Sequence, residues 1–148
     1  KKPVPVYLQG LIIENEQGEF LLEKNEAAGL LFGFWHFPLI EVEEFQSDNQ
    51  MSLFEVAENQ PNLDLSPQES FEQDYELIVD WQQKSFPKVQ HVFSHRKWHI
   101  QLAYGRVKDS QHAADGEVLW LDPEEFGNYP FAKPQQKMWE AFQDVRNK

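Results

Sequence analysis

From Lys97 to Tyr104 the residues alternate strictly, with Trp98, Ile100, Leu102 and Tyr104 on one side and His99, Gln101 and Ala103 on the other. A period of two with bulky apolar groups on one side is the pattern of a strand laid against a core. The chain therefore has to build a sheet around this segment. Val89 to Phe93 leads into it through a tight loop at Ser94 and His95. Other strands read from the sequence are Val6–Ile13, its hairpin partner Glu19–Glu23 across an Asn15–Gly18 turn, Trp35–Val42 and Val118–Leu121. Pro38 marks the third of these as an edge or a bulge, because proline has no N–H for the ladder.

Helices are fewer. Ser66-Pro67-Gln68-Glu69 is a start signal, with Ser66 as N-cap, proline in the first turn and Glu69 closing a capping box, and the helix should run to about Tyr75. Glu76 to Trp81 reads either as a strand or as a continuation of that helix. Asp122-Pro123-Glu124-Glu125 begins a short helical turn. Pro134 opens a last helix whose Met138, Phe142 and Val145 recur at helical spacing beside Trp139. Residues 43–65 read as loop around a short helix through Met51, Leu53, Phe54, Val56 and Ala57. The order implies one mixed α/β domain over 1–148, with no repeat or dividing linker.

At 148 residues, 41% of them hydrophobic and 14% aromatic, the chain is large enough for a real core. With no cysteine it can form no disulfide, thiolate metal site or iron–sulfur cluster. No run approaches the ~18 apolar residues of a membrane span, and the start lacks a signal-peptide core. A cytoplasmic protein is the expectation. Because the sequence begins at Lys1 without methionine, it reads as one domain of a longer protein.

The formal net charge is -12, which opposes nucleic-acid binding by the body as a whole. Its distribution is uneven. From Lys84 to Lys108 there are six cations (Lys84, Lys88, Arg96, Lys97, Arg106 and Lys108) and no carboxylate. Within that window, His91-Val92-Phe93-Ser94-His95-Arg96-Lys97-Trp98-His99 interleaves cations with aromatic, hydroxyl and imidazole groups, the mixture suited to phosphate and base contacts. A solvated basic face is the plainer reading of the same residues. Likewise Phe93 reads either as a wedge against stacked bases or as core, and Ser94-His95 either as hydrogen-bonding groups or as a turn.

Catalytic constellations are missing. His91, His95 and His99 are four apart but sit on strand pattern, without the helix that would align them as metal ligands. Ser94 and His95 are adjacent on extended backbone and point to opposite faces, and no nucleophile elbow surrounds them. His36, between Trp35 and Phe37, reads as a satisfied half-buried histidine, and His112 carries no signal.

Three blocks together resemble the C-terminal domain of MutY-type adenine DNA glycosylases: Gly29-Leu30-Leu31-Phe32-Gly33-Phe34-Trp35-His36-Phe37-Pro38, then His91-Val92-Phe93-Ser94-His95 with Trp98-His99-Ile100, then Tyr129-Pro130-Phe131-Ala132-Lys133-Pro134 before Gln136-Lys137-Met138-Trp139. The likeness spans nearly the whole chain, and the first block is shared loosely with Nudix proteins. It implies a Nudix-like α/β (α+β) sandwich, a mixed sheet flanked by helices, that recognises 8-oxoguanine mispaired with adenine and supports adenine excision by an N-terminal catalytic domain of a bacterial, nucleoid-associated base-excision repair enzyme.

By that resemblance Ser94 reads the N7 edge of 8-oxoguanine, which carries a proton that guanine lacks and that a hydroxyl can accept. Phe93 stacks or wedges beside the lesion, and His95 supports the loop or touches the backbone. Arg96 and Lys97 are phosphate contacts inferred from charge, with Lys88 and His91 as further backbone contacts. The resemblance gives this domain no catalytic residue, metal or cofactor, since the family's carboxylates and [4Fe–4S] cluster belong to the N-terminal domain. The expected partners are duplex DNA with the mispair and that catalytic domain. The acidic segment from Glu41 to Asp80 departs from the family's pattern.

Two other functions compete. A Nudix pyrophosphohydrolase shares the fold but holds Mg²⁺ on a helix bearing Arg-Glu followed by Glu-Glu. Here Leu39-Ile40 follows Pro38, no arginine precedes Arg96, and Glu43-Glu44 is an isolated pair. A protein-interaction domain using the acidic face is the third.

Overall fold

The computed structural model describes residues 2–26, 32–43, 66–93, 95–108 and 118–147. In chain order the elements are strands β1 (Val4–Glu14), β2 (Phe20–Lys24), β3 (Trp35–His36) and β4 (Leu39–Val42), helix α1 (Pro67–Tyr75), strands β5 (Asp80–Trp81), β6 (Val89–Phe93), β7 (Arg96–Arg106) and β8 (Val118–Leu121), a 3₁₀ helix (Pro123–Asn128) and helix α2 (Lys133–Arg146).

The long strands β1 and β7 form the spine. They run parallel in continuous register from Val4↔Arg96 to Glu14↔Arg106, and every other pairing is antiparallel, so the sheet is mixed. The path is β3-β2-β1-β7-β5, with β8 beside β2. At the other end of the spine β4 pairs with β1 and β6 with β7.

Alternation sends side chains to two cores. Leu8 and Ile12 of β1 and Ile100, Leu102 and Tyr104 of β7 face α2, where they meet Met138 and Phe142. Leu11 and Ile13 face the other way, toward Phe71 of α1. Leu11, Ile12 and Ile13 are each wholly buried because a central strand is covered on both faces. The result is the sandwich implied by the resemblance, a mixed sheet between helices.

Local chemistry explains the boundaries. The Ser66 hydroxyl accepts from the Glu69 N–H and the Glu69 carboxylate accepts from the Ser66 N–H, both at 3.1 Å, which starts α1. Its end is set at Glu76, whose left-handed φ of 54° stops the helix. Glu72 then stitches α1 to β5, accepting from the Trp81 indole at 2.9 Å. Of the two readings of 76–81, the short strand is the one found. The extended stretch 35–42 divides into β3 and β4 at Phe37-Pro38, as the proline requires. There the buried Gln135 side chain accepts the Phe37 N–H at 2.9 Å, and the Pro38 carbonyl accepts from Leu11 N–H at 2.9 Å, so no polar group is stranded at the break. The helix expected through Met51 to Ala57 lies outside the described residues.

Candidate nucleic-acid interface

Strands β6 and β7 form a hairpin whose register, from Val89↔Ile100 to Phe93↔Arg96, leaves residues 94 and 95 as its connection. Residues directly opposite each other on an antiparallel pair share a face. His91, Phe93, Arg96 and Trp98 therefore lie on the α2 side of the hairpin, while Val92, Lys97 and His99 lie on the reverse side. On that reverse side His99 stacks on Tyr7, with ring centroids 5.2 Å apart.

The seven site residues divide accordingly. Arg96 and His95 are exposed, and Lys97 is half-buried. The His95 carbonyl accepts from Val4 N–H at 2.7 Å, which fastens the turn to the end of β1. Phe93 ends β6 rather than standing in the loop. Its half-buried ring packs edge-on against Trp98 at 4.9 Å and His91 at 4.8 Å, so it serves as packing beneath the turn as well as a flank to it. Lys88 is exposed just before β6. Ser94 lies outside the described residues. Arg96 and Lys97, read together as phosphate contacts, belong to opposite faces.

Sequence reasoning missed Lys133 and Lys137. The Lys137 ammonium donates to the Gln90 carbonyl at 3.0 Å and to His91 Nδ1 at 3.1 Å, which joins the start of α2 to the outer edge of β6. Burial, then the charges of Lys137 and Lys133, hold His91 below the ordinary imidazole range. The signal was present in the sequence: two lysines four apart lie on one helix face.

A second titratable cluster lies on the β2–β3 pair, where Glu23 faces His36. Burial pushes Glu23 up to about 7. Burial also lowers His36, partly offset by its bond to the Phe37 carbonyl, to which Nδ1 is 2.8 Å distant. His36 Nε2 and Glu23 Oε2 are 4.0 Å apart, too far for a hydrogen bond, and burial disfavours the charged form of both, which weakens any ion pair between them. Beside it a cavity of about 150 Å³ is lined by Asn25, Trp35, His36, Trp98 and Gln135 among others. A wider cleft of about 370 Å³ opens between the 3₁₀ helix and α2, walled by Phe126, Phe131 and Trp139.

Among the described residues the donors for a Nudix-type Mg²⁺ are not assembled. Glu41 and Glu43 are exposed, Glu44 lies outside the described residues, and the Arg-Glu half of the signature has no counterpart in the sequence. Among the described residues no group of three or more His, Asp or Glu stands close enough to hold a metal. His91 and His99 are on opposite faces of the hairpin, which removes them as joint ligands.

Residues 9–141 match the NUDIX domain. The chain belongs to the NUDIX domain family. A curated relative, the CTP pyrophosphohydrolase of Escherichia coli K12, is 27% identical over 135 residues, 91% of this chain and 89% of that protein. Among solved structures, the C-terminal domain of mouse MUTYH, determined in complex with human PCNA, superposes with a TM-score of 0.61 at 21% identity, covering 97% of this chain and 90% of that one. The E. coli ORF135 protein gives 0.55 at 26% identity, covering 97% and 92%. Likeness of fold does not by itself fix an activity, and the site has to be read for that. Among the described residues no helix is long and apolar enough to cross a membrane.

Proposed function

We propose that this NUDIX domain is a nucleic-acid recognition module that reads 8-oxoguanine opposite adenine through the β6–β7 turn and supports adenine excision by a glycosylase domain. The observation that supports the reading is the hairpin: β6 ends at Phe93 and β7 begins at Arg96, with His95 exposed between them and Arg96 and Lys97 in a window without carboxylates. Ser94 accepts the N7 proton of the lesion, His95 steadies the turn or meets the backbone, and Phe93 flanks the base. Arg96, Lys97, Lys88 and His91 contact phosphates, which position the duplex without reading it. Within this reading the domain carries no catalytic residue or cofactor of its own, and its location is the bacterial nucleoid.

Hydrolysis of a nucleoside triphosphate is the second reading. The comparisons favour it more directly, because the curated relative is a pyrophosphohydrolase, whereas a likeness at 21% identity speaks for fold alone. Against it stands the lost Arg-Glu signature.

One pair of assays separates the two. The chain is titrated with duplexes carrying 8-oxoguanine or guanine opposite adenine, and separately incubated with CTP and Mg²⁺ while pyrophosphate release is followed. A lesion preference of about 5- to 150-fold, the equivalent of roughly 1–3 kcal/mol for a good base contact, is expected, and Ser94→Ala/His95→Ala should abolish it. Equal binding to both duplexes, with catalytic turnover of CTP, would overturn the proposal in favour of the second reading.

A further inference from the structure

Helix α2 carries two lysines, Lys133 and Lys137, on the face that meets β6, and the chain is otherwise strongly acidic. The Lys137 ammonium sits 3.0 Å from the Gln90 carbonyl and 3.1 Å from His91 Nδ1, with Lys133 one turn away and close enough to act on His91. Arg96 stands on the same sheet face, opposite Phe93. Lys137 is half-buried and Lys133 exposed, so one is held in place and the other reaches into solvent. Among the described residues Lys137 hydrogen-bonds a carbonyl and an imidazole nitrogen and forms no ion pair with a carboxylate, and an anion is the group that completes such an arrangement.

We infer that Lys133, Lys137 and His91 form a phosphate site at the junction of α2 and β6, which takes a backbone phosphate of the duplex whose base is read at the hairpin. The inference rests on the lesion-recognition reading and extends the contact surface from the turn to the helix of the third sequence block, to which no contact role was assigned. A mononucleotide's polyphosphate offers the same chemistry. The hairpin supplies the reason to choose the duplex, since it places Arg96 on the same face, where a continuous backbone can meet both.

The test measures duplex affinity against salt for the chain and two double variants, Arg96→Gln/Lys97→Gln and Lys133→Gln/Lys137→Gln. Each lost phosphate contact lowers the slope of log K against log salt by ~0.9. The helix pair should therefore reduce it by about 1, equally for lesion and normal duplexes, and Lys133→Arg/Lys137→Arg should restore it. NMR titration of the His91 ring gives an independent readout: a bound phosphate offsets the two lysine charges and moves its midpoint upward, while a purely structural Lys137 would leave it in place. If the hairpin pair lowers the slope and the helix pair does not, the inference falls and lesion recognition stands. If the unmodified chain shows no salt-dependent duplex binding, both fall. If inorganic triphosphate moves His91 at concentrations where the duplex does not, the site belongs to a free polyphosphate and the inference is overturned.

Discussion

Glu23 makes the stability of this domain depend on pH in the direction opposite to most carboxylates. It lies mid-sheet on β2, paired with His36 on one side and Val118 on the other. Its side chain is 20% exposed, and Oε1 is buried with no hydrogen-bond partner among the described residues. Burial raises it from 4.5 to about 7, so the folded chain holds this proton more tightly than the unfolded chain. Where the unfolded chain has ionised and the folded chain has not, stability falls as pH rises. The contribution is complete below pH 4.5, declines between pH 4.5 and 7, and is gone above that. At ~1.4 kcal/mol per pH unit it amounts to roughly 3 kcal/mol. Glu23→Gln keeps the shape of the protonated acid and removes the titration. The variant should match the parent near pH 4 and exceed it by roughly 2–3 kcal/mol at pH 8.5, measured by urea denaturation followed by tryptophan fluorescence. Taking the difference between the two proteins cancels His36, whose lowered value acts in the opposite sense. A stability difference that stays constant from pH 4 to 8.5 would refute the assignment.

Tyr104→Phe removes the hydroxyl that donates to buried Glu14 Oε1 at 2.5 Å, leaving that carboxylate to Arg146 at 3.0 Å, and should destabilise by ~1–3 kcal/mol in urea titrations. Because burial, with Glu14 beside it, holds the phenol up at about 12, the loss should be the same at pH 7 and pH 9. Phe142→Ala empties a fully buried site ringed by Phe20, Phe86, Tyr104 and Trp139; a loss of ~3–5 kcal/mol is expected by thermal or chemical unfolding. Gly10→Ala would place a Cβ 2.5 Å from the Met138 methyl, where α2 crosses β1. It should destabilise by ~1–3 kcal/mol, and Gly10→Ala/Met138→Ala should lose less than the sum of the single variants, since the two share one space.

Features set by neighbours in the chain were legible from the sequence. The capping box at Ser66 and Glu69 and the alternation along β7 each depend on a few adjacent residues and are found where expected, while Pro38, read as an edge or a bulge in one strand, instead separates two. Features that depend on distant partners were not. The parallel pairing of β1 with β7, the Gln135 side chain that caps Phe37, and the buried Glu14–Tyr104–Arg146 cluster join residues far apart in the chain. The turn was legible because Phe93 and Arg96 bound it. The separation of Arg96 from Lys97 follows from period-two geometry and was open to the same reasoning. Lys133 and Lys137, though they fall in the third block of the resemblance, were given no contact role because they lie about 40 residues beyond the turn in sequence and their nearness to His91 depends on the fold.

The proposed lesion reading and the hydrolase reading place different demands on this fold. Catalysis on a bound diphosphate needs carboxylates gathered on one helix, and the sequence after Pro38 has lost the arginine-led half of that set. Reading a base edge needs a donor or acceptor held in fixed register, because one misplaced hydrogen bond forfeits the discrimination. In the proposed reading the described residues around the β6–β7 turn would supply two restraints: the bond from Val4 N–H to the His95 carbonyl, and the ring of Phe93 packed against His91 and Trp98. The cations need no such precision, since a phosphate accepts from many directions. It is consistent that they sit on flexible side chains to either side of the turn, while the groups beneath it are aromatic and packed.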